Sequence, residues 1–131
     1  MGPLEGTRIV ELAAIGPAPY GVMLLADLGA EVIRVDRLPG PDGSSGAADA
    51  MVGVGRNRRS IAVDLKRDEG VDLVRRLVSS ADVFVEGARP GVAERLGLGP
   101  EELTVTDPRL IYVRVTGWGQ DGPLAPRAGH D

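Results

Sequence analysis

The sequence predicts an α/β fold, a Rossmann-like parallel sheet with flanking helices. Short aliphatic segments of strand length alternate along the chain with segments of helical period. Aromatic residues make up only 3% of the sequence, so valine, leucine and alanine must supply most of the packing, as they do in buried parallel strands. A chain of 131 residues with 43% hydrophobic residues suffices for one core, and we expect residues 1–131 to form a single unit.

The N-terminal third shows the strand–helix–strand pattern most clearly. A strand is predicted at 8–12, a Gly/Pro break at 16–19, a helix at 20–28 and a second strand at 31–36. Gly29 follows the helix where a C-terminal cap is expected. A unit of this size normally closes as a right-handed parallel crossover.

The remaining elements follow the same alternation. Residues 38–55 are rich in Gly, Pro, Ser, Ala and Asp and predict a long exposed loop, with room for a short helix at 47–52. Further strands are predicted at 60–65, 82–86 and 110–115, and helices at 68–79, 90–96 and 100–103. Ligands of open α/β sheets bind beyond the carboxyl ends of such strands.

Composition excludes several classes of function. A formal net charge of −4 with interspersed signs argues against a nucleic-acid partner. The chain has no cysteine, so it offers no disulfide, thiolate metal site or cysteine nucleophile, and no cluster of other residues indicates a metal site. No segment has the length and apolarity of a membrane span or a signal core, so we expect a cytoplasmic protein without a membrane partner.

The turn after the first strand lacks the three spaced glycines of a dinucleotide site, which weakens a nicotinamide-cofactor hypothesis. Asp36 ends the second strand, where such enzymes hold an acidic residue against ribose. Arg37 follows directly and is either a phosphate ligand or a solvated surface residue.

Basic residues flank the predicted third strand, at 56–59 before it and at Lys66 and Arg67 after it. Composition favours a solvated basic loop. The alternative is a set of guanidinium groups around a phosphorylated ligand, which arginine geometry suits. Arg89 and Arg95 support the alternative, because both follow the fourth strand and would lie at the ligand-bearing edge of the sheet.

Two residues near the C-terminal end are each the single example of their type. Trp118 lies between two glycines and either caps the core beneath a loop or marks a close backbone approach to a ligand. His130 is a candidate acid or base because an unperturbed imidazole titrates near neutral pH, although a lone histidine is more often an ordinary surface residue.

Several ordered blocks together resemble the family III CoA-transferase superfamily, also called CaiB/BaiF. The blocks are LEGTRIVEL at 4–12, LADLGAEVIRVD at 25–36, NRRS at 57–60 with DLK at 64–66, EGARPG at 86–91, RLGLG at 95–99 and TGWGQDGP at 116–123. The ending AGHD at 128–131 resembles the α-methylacyl-CoA racemase branch, because the transferase branch typically has an aromatic residue where His130 stands. The resemblance implies part of the large domain of that fold.

The resemblance also implies an activity and its site. The substrate would be a 2-methylacyl-CoA that loses its α-proton and regains one through an enolate, whose oxygen needs hydrogen-bond donors. His130 would be one acid/base, and the second would be an aspartate farther downstream that this chain does not contain, so we expect the isolated chain to be inactive. The residues implied to bind CoA are Arg37, Val63, Asp64, Leu65, Lys66, Gly87, Ala88, Arg89, Arg95 and Gly129.

Coenzyme A would enter as part of the acyl-CoA substrate, with no prosthetic group and no metal. The longer members of the family imply an interlocked homodimer for a full-length protein. Two alternatives stay open: a CoA-transferase that acts through an acyl-aspartate intermediate, and a CoA-binding or assembly module without catalysis.

Overall fold

The computed structural model describes residues 2–41 and 53–129. The elements in chain order are β1 (Arg8–Leu12), α1 (Pro17–Asp27), β2 (Glu31–Arg37), β3 (Arg58–Val63), α2 (Asp68–Val78), β4 (Val83–Glu86), α3 (Val92–Arg95), α4 (Pro100–Thr106) and β5 (Ile111–Arg114). The short helix predicted at 47–52 lies outside the described residues.

The five strands form one parallel sheet in the order β3-β2-β1-β4-β5. This confirms the predicted Rossmann-like α/β fold. The chain builds outward from β1 to β3 and then returns to the other side of β1 for β4 and β5. The order therefore reverses between β1 and β4, and a crevice at such a reversal is the usual ligand site of an open α/β sheet.

Two hydrophobic cores cover the two faces of the sheet. On one face, α1 packs its Ala18, Val22 and Ala26 against the sheet. On the other face, α2 contributes Val71, Val74 and Val78, and Phe84 of β4 is fully buried there. Successive strand residues point to opposite faces, which is why alternate positions of β1 enter different cores.

The two long helices differ in how they use their outer faces. α2 carries charged residues outward and has Asp68 and Glu69 in its first turn, which complements the helix dipole. α1 is apolar on both sides, and its Tyr20 and Leu24, together with Leu28 just after the helix, are exposed. Gly29 follows with a φ of 103°, a conformation that glycine adopts without strain.

Most element boundaries differ from the sequence predictions by one to three residues, and three of these differences have a clear description. α1 begins at Pro17 rather than at residue 20, because proline without an N–H is tolerated in the first helical turn. β3 begins at Arg58 rather than at residue 60, since the parallel register already pairs Arg58 with Val32 of β2. α4 continues to Thr106, three residues beyond the predicted end at 103.

A buried ion pair joins β1, β3 and α1. The carboxylate of Glu11 is 0% exposed and lies 2.5 Å from Nη1 of Arg58, whose side chain is 2% exposed. Nη2 of Arg58 donates to the carbonyl oxygen of Pro19 in the first turn of α1, at 2.5 Å. Beside this pair, Arg34 donates to Asp36 at 2.8 Å. Burial raises the pKa of Glu11, and the nearby guanidinium groups of Arg58 and Arg34 oppose that shift.

Replacing Arg58 should destabilise the fold strongly. Arg58→Met leaves the buried Glu11 carboxylate without its partner, and the expected loss in the free energy of unfolding is about 3–5 kcal/mol. Arg59→Met is the matched control, because the Arg59 side chain is 73% exposed and its pair with Glu31 is a surface contact worth less than about 1 kcal/mol. Urea denaturation of both variants measures the difference, and equal losses would contradict a structural role for the buried pair.

Candidate functional site

The carboxyl edge of the sheet collects most of the predicted site residues. Arg37 ends β2, and Val63, its register partner, ends β3. Gly87 follows β4, and the loop after β5 starts at Val115. Because all five strands are parallel, these chain segments emerge at one edge.

At the point where the strand order reverses, the loop after β4 packs directly on α1. A Cβ atom at Gly87 would lie 2.8 Å from Cβ of Ala14 and 3.3 Å from Cβ of Ala18. Gly87 therefore allows a close approach between the β4 loop and the start of α1. Small residues on both segments make this packing possible.

The loop after β3 is held by hydrogen bonds of Asp64. Its carboxylate accepts the Lys66 N–H at 3.0 Å, and its carbonyl oxygen accepts the Arg67 N–H at 3.3 Å. Val63 is buried in the α2-side core and Leu65 packs partly against it, so their side chains support the loop from below. Lys66 is exposed in this loop.

The loop after β4 is organised by Glu86. Its carboxylate accepts the Ala88 N–H at 2.7 Å, which turns the chain at the crevice. Arg89 is exposed in that loop, and Arg95 of α3 folds back so that Nη1 would lie 3.1 Å from a Cβ at Gly91. Ala88 and Arg89 thus lie in the loop after β4, and Arg95 lies in α3, the next element along the chain.

The structure separates the basic residues into two groups. Arg56 pairs with Asp27, Arg58 with Glu11 and Arg59 with Glu31. Arg56 and Arg59 are exposed, as the solvated loop predicts, whereas the side chain of Arg58 is buried. Asp36 is likewise engaged, by Arg34. Within residues 2–41 and 53–129, the cations that form no ion pair with a carboxylate include Arg37, Lys66, Arg89 and Arg95.

A charged cluster that the sequence analysis did not anticipate lies beside the β4 loop. Glu86 and Arg114 end neighbouring strands in register, and Arg114 Nε lies 3.7 Å from the Glu86 carboxylate. Arg114 also pairs with Glu94 of α3 and donates to Gln120 at 2.5 Å. The sequence feature that could have predicted this cluster is the pair of opposite charges, Glu86 and Arg114, at the last residues of two apolar strands.

Burial and ion pairing shift the pKa values of two carboxyl groups of this cluster in opposite directions. Burial raises the pKa of Glu86, against the pull of the Ala88 N–H and of Arg114. The exposed Glu94 has its pKa lowered, by a backbone hydrogen bond and by Arg114. The pKa of the Tyr112 hydroxyl is raised, mainly by burial, and its O–H donates to the Leu98 carbonyl at 2.8 Å.

The loop after β5 returns to its own starting point. Gly117 and Gly129 are packed so closely that a Cβ on either would overlap the Cα of the other. Nε1 of Trp118 donates to the Ala128 carbonyl at 2.9 Å, and Trp118 is 50% exposed, so it does not cap the core. Gly129 therefore lies at the carboxyl end of β5. His130 and Asp131 lie outside the described residues, and the role predicted for His130 stays a prediction.

Two further findings concern what the described residues lack. Among them, no group of three or more His, Cys, Asp or Glu side chains could hold a metal ion. In the same part of the chain, no helix has both the length and the apolarity needed to cross a bilayer.

The comparison with protein families establishes the family of this chain. The model of CoA-transferase family III matches residues 4–131. The chain belongs to CoA-transferase family III.

Solved structures of similar proteins share this fold. In the crystal structure of Rv3272 from Mycobacterium tuberculosis, a region 38% identical to this chain superposes with a TM-score of 0.88, covering 100% of this chain and 36% of that one. A CAIB/BAIF family protein from Brucella suis gives a TM-score of 0.87 at 38% identity, covering 99% of this chain and 37% of that one.

Curated relatives of this family III chain include both racemases and transferases. The α-methylacyl-CoA racemase of Mus musculus is 49% identical over 128 residues, and that of Homo sapiens is 44% identical over 128 residues; each alignment covers 98% of this chain and 32% of the relative. The succinyl-CoA:glutarate CoA-transferase of Mus musculus is 42% identical over 139 residues, which cover 100% of this chain and 32% of the relative. The chain thus spans about a third of the length of these curated relatives.

The raised pKa of Glu86 gives this family III chain a testable pH dependence. A carboxyl group whose folded pKa exceeds its unfolded value of 4.5 binds its proton more tightly in the folded state. Its contribution to stability therefore rises as the pH falls through the folded pKa towards 4.5. Glu86→Gln removes this titration, so the Tm of the wild type relative to this variant should increase between pH 7 and about pH 5.

Glu94→Gln is the matched control from the same cluster. Because the folded pKa of Glu94 is lowered, its contribution is present above the unfolded value of 4.5 and is lost only on further acidification. Thermal unfolding followed by circular dichroism at a series of pH values compares the three proteins. A wild-type advantage over Glu86→Gln that shrinks on acidification would show that the direction of the Glu86 shift is wrong.

Proposed function

We propose that this chain is the N-terminal, CoA-binding part of an α-methylacyl-CoA racemase, with His130 as one of two acid/base groups. The observation that carries the proposal is the grouping of cations at the carboxyl edge. Arg37 ends β2, Lys66 follows β3, and Arg89 and Arg95 follow β4, all without a carboxylate partner in the described part of the chain.

Cations placed in this way suit the phosphate groups of coenzyme A. A guanidinium group can offer two parallel N–H donors to one phosphate, and an ammonium adds a point charge. Gly87 and Ala88 carry no bulky side chain and lie in the loop that also holds Arg89. Asp64, Leu65 and the backbone of Val63 would line the nucleotide side, and Gly129 would line the thioester side.

The reaction requires an acidified hydrogen on the carbon beside the thioester carbonyl. A base removes this hydrogen from one face, and an acid delivers a proton to the opposite face of the enolate. Backbone N–H groups are the donors that would stabilise the enolate oxygen. His130 follows Gly129 directly, and an imidazole is suited to either role near neutral pH.

The racemase is favoured over a transferase by two observations. His130 stands at the position where the transferase branch typically has an aromatic residue. The racemases of Mus musculus and Homo sapiens are 49% and 44% identical to this chain, whereas the Mus musculus transferase is 42% identical. A CoA-transferase remains the second candidate, since its relatives align over the same residues. The two differ chemically, because a transferase forms an acyl-aspartate that can be trapped, whereas a racemase exchanges the α-proton.

Binding of coenzyme A tests the proposed site. Isothermal titration should detect CoA, and Arg89→Ala should weaken binding about 10- to 100-fold, which corresponds to one charge-assisted hydrogen bond. Pantetheine lacks the nucleotide phosphates, so its weaker binding should not respond to this substitution. Arg59→Ala is the matched control, because Arg59 is paired with Glu31. Equal affinity for CoA and pantetheine would refute the phosphate site.

Proton exchange tests the assignment of the second base. The resemblance assigns that base to an aspartate that these 131 residues do not contain. The chain incubated with 2-methylbutanoyl-CoA in D2O should therefore produce no α-deuteration above the rate without protein. Mass spectrometry of the recovered thioester measures the exchange. Substantial deuteration would show that His130 and the residues present suffice for the chemistry.

A further inference from the structure

The helix that carries Arg95 is too short to hold its own position. α3 has only four residues, and a helix of this length is not stable without contacts to the rest of the fold. Arg95 forms no ion pair with a carboxylate among the described residues, and its Nη1 would lie 3.1 Å from a Cβ atom added at Gly91. The direction of this guanidinium group therefore depends on what holds the single turn of α3.

Two side chains of β5 hold α3 and the residues just after it. Arg114 pairs with the carboxylate of Glu94 in the helix. The O–H of Tyr112 donates to the carbonyl oxygen of Leu98, just beyond the helix, at 2.8 Å. Residues two apart on a strand point to the same face, and Cζ of Arg114 lies 5.5 Å from the centre of the Tyr112 ring. Both ends of the segment 94–98 are thus attached to one strand.

Arg114 is itself held in one orientation. Its Nε lies 3.7 Å from the carboxylate of the buried Glu86, and its Nη1 donates to Gln120 at 2.5 Å. Only 20% of the Arg114 side chain is exposed. A planar guanidinium group with partners on several sides has little freedom to turn. Arg114 therefore connects Glu94 firmly to the ends of β4 and β5.

We infer that Arg114 is a positioning residue for Arg95 and acts through Glu94. The inference rests on the proposed function, because it takes coenzyme A as the ligand of Arg95. By holding α3, the contact between Arg114 and Glu94 keeps the Arg95 guanidinium group in place before a phosphate arrives. A group that is ordered in advance loses less conformational entropy when the ligand binds, so the affinity is higher.

The charge of Glu94 makes the sign of one effect decisive. Glu94→Ala removes a negative charge next to Arg95 in the sequence, and charge alone would make the anionic coenzyme A bind more tightly. Loss of positioning acts in the opposite direction, and we expect the Kd for coenzyme A to rise about 3- to 10-fold. Isothermal titration measures the Kd. An unchanged or lowered Kd would overturn the inference.

A double-mutant cycle tests whether Arg114 acts through Arg95. Arg114→Met should raise the Kd about 5- to 20-fold in the wild type but less than about twofold in the Arg95→Ala background, because the group to be positioned is then absent. A merely structural or long-range electrostatic role would raise the Kd by the same factor in both backgrounds. Arg109→Met is the matched control, since it removes an exposed arginine that pairs with Asp107 outside this cluster.

The outcomes separate this inference from the proposed function. Arg114→Met leaves the buried Glu86 carboxylate without its cation, so Arg114→Met combined with Glu86→Gln takes its place in the cycle if the single variant does not fold. Circular dichroism shows which variants fold. A wild type that does not bind coenzyme A would refute the proposed function and this inference together. A wild type that binds, with equal effects of Arg114→Met in both backgrounds, would overturn the inference alone.

Discussion

The buried contact of Arg58 with Glu11 and Pro19 is the constraint on which the geometry of the crevice depends. One guanidinium group at the start of β3 reaches across β2 to the carboxylate on β1 and to the first turn of α1. It therefore fixes α1 relative to the sheet at the end where the strand order reverses. Ala18 of α1 and Ala14 just before it are the residues on which Gly87 packs closely.

Two groups of arginine residues differ in whether a carboxylate of the described residues pairs with them. Those at 56, 58 and 59 are matched to carboxylates of α1, β1 and β2 and hold the β3 side of the fold together. Those at 37, 89 and 95 form no ion pair with a carboxylate among the described residues and are the arginines that we propose to bind phosphate. The arginines that are adjacent in sequence are thus engaged by carboxylates, and the proposed phosphate ligands come from separate parts of the chain.

The fold could be predicted from the sequence because the patterns that indicate its strands and helices are local. Aliphatic strands, a helical period in 68–78 and glycine or proline at the boundaries predicted all five strands and their parallel arrangement. The start of β3 was predicted two residues late, since charged side chains such as Arg58 do not resemble a strand until their partner is known. That partner, Glu11, lies 47 residues away.

The site was only partly predictable for the same reason. Its loops could be placed from the rule that ligands bind beyond the carboxyl ends of parallel strands, and its cations from their positions after β2 and β4. The network of Glu86, Arg114 and Glu94 depends on strand register and helix placement, which no local pattern encodes. The contacts of Gly117 with Gly129 and of Trp118 with Ala128 depend on a loop that returns to its origin, which composition does not reveal.

The reach of Arg58 across the sheet has a consequence for the order of assembly. The unit of β1, α1 and β2 leaves the ribosome before β3, and in that interval the Glu11 carboxylate has no guanidinium from Arg58 to neutralise it. Final docking of the first helix must then wait until the third strand has been synthesised and paired. The transition state for folding should accordingly contain contacts of high sequence separation, with β3 taking part early instead of being added last.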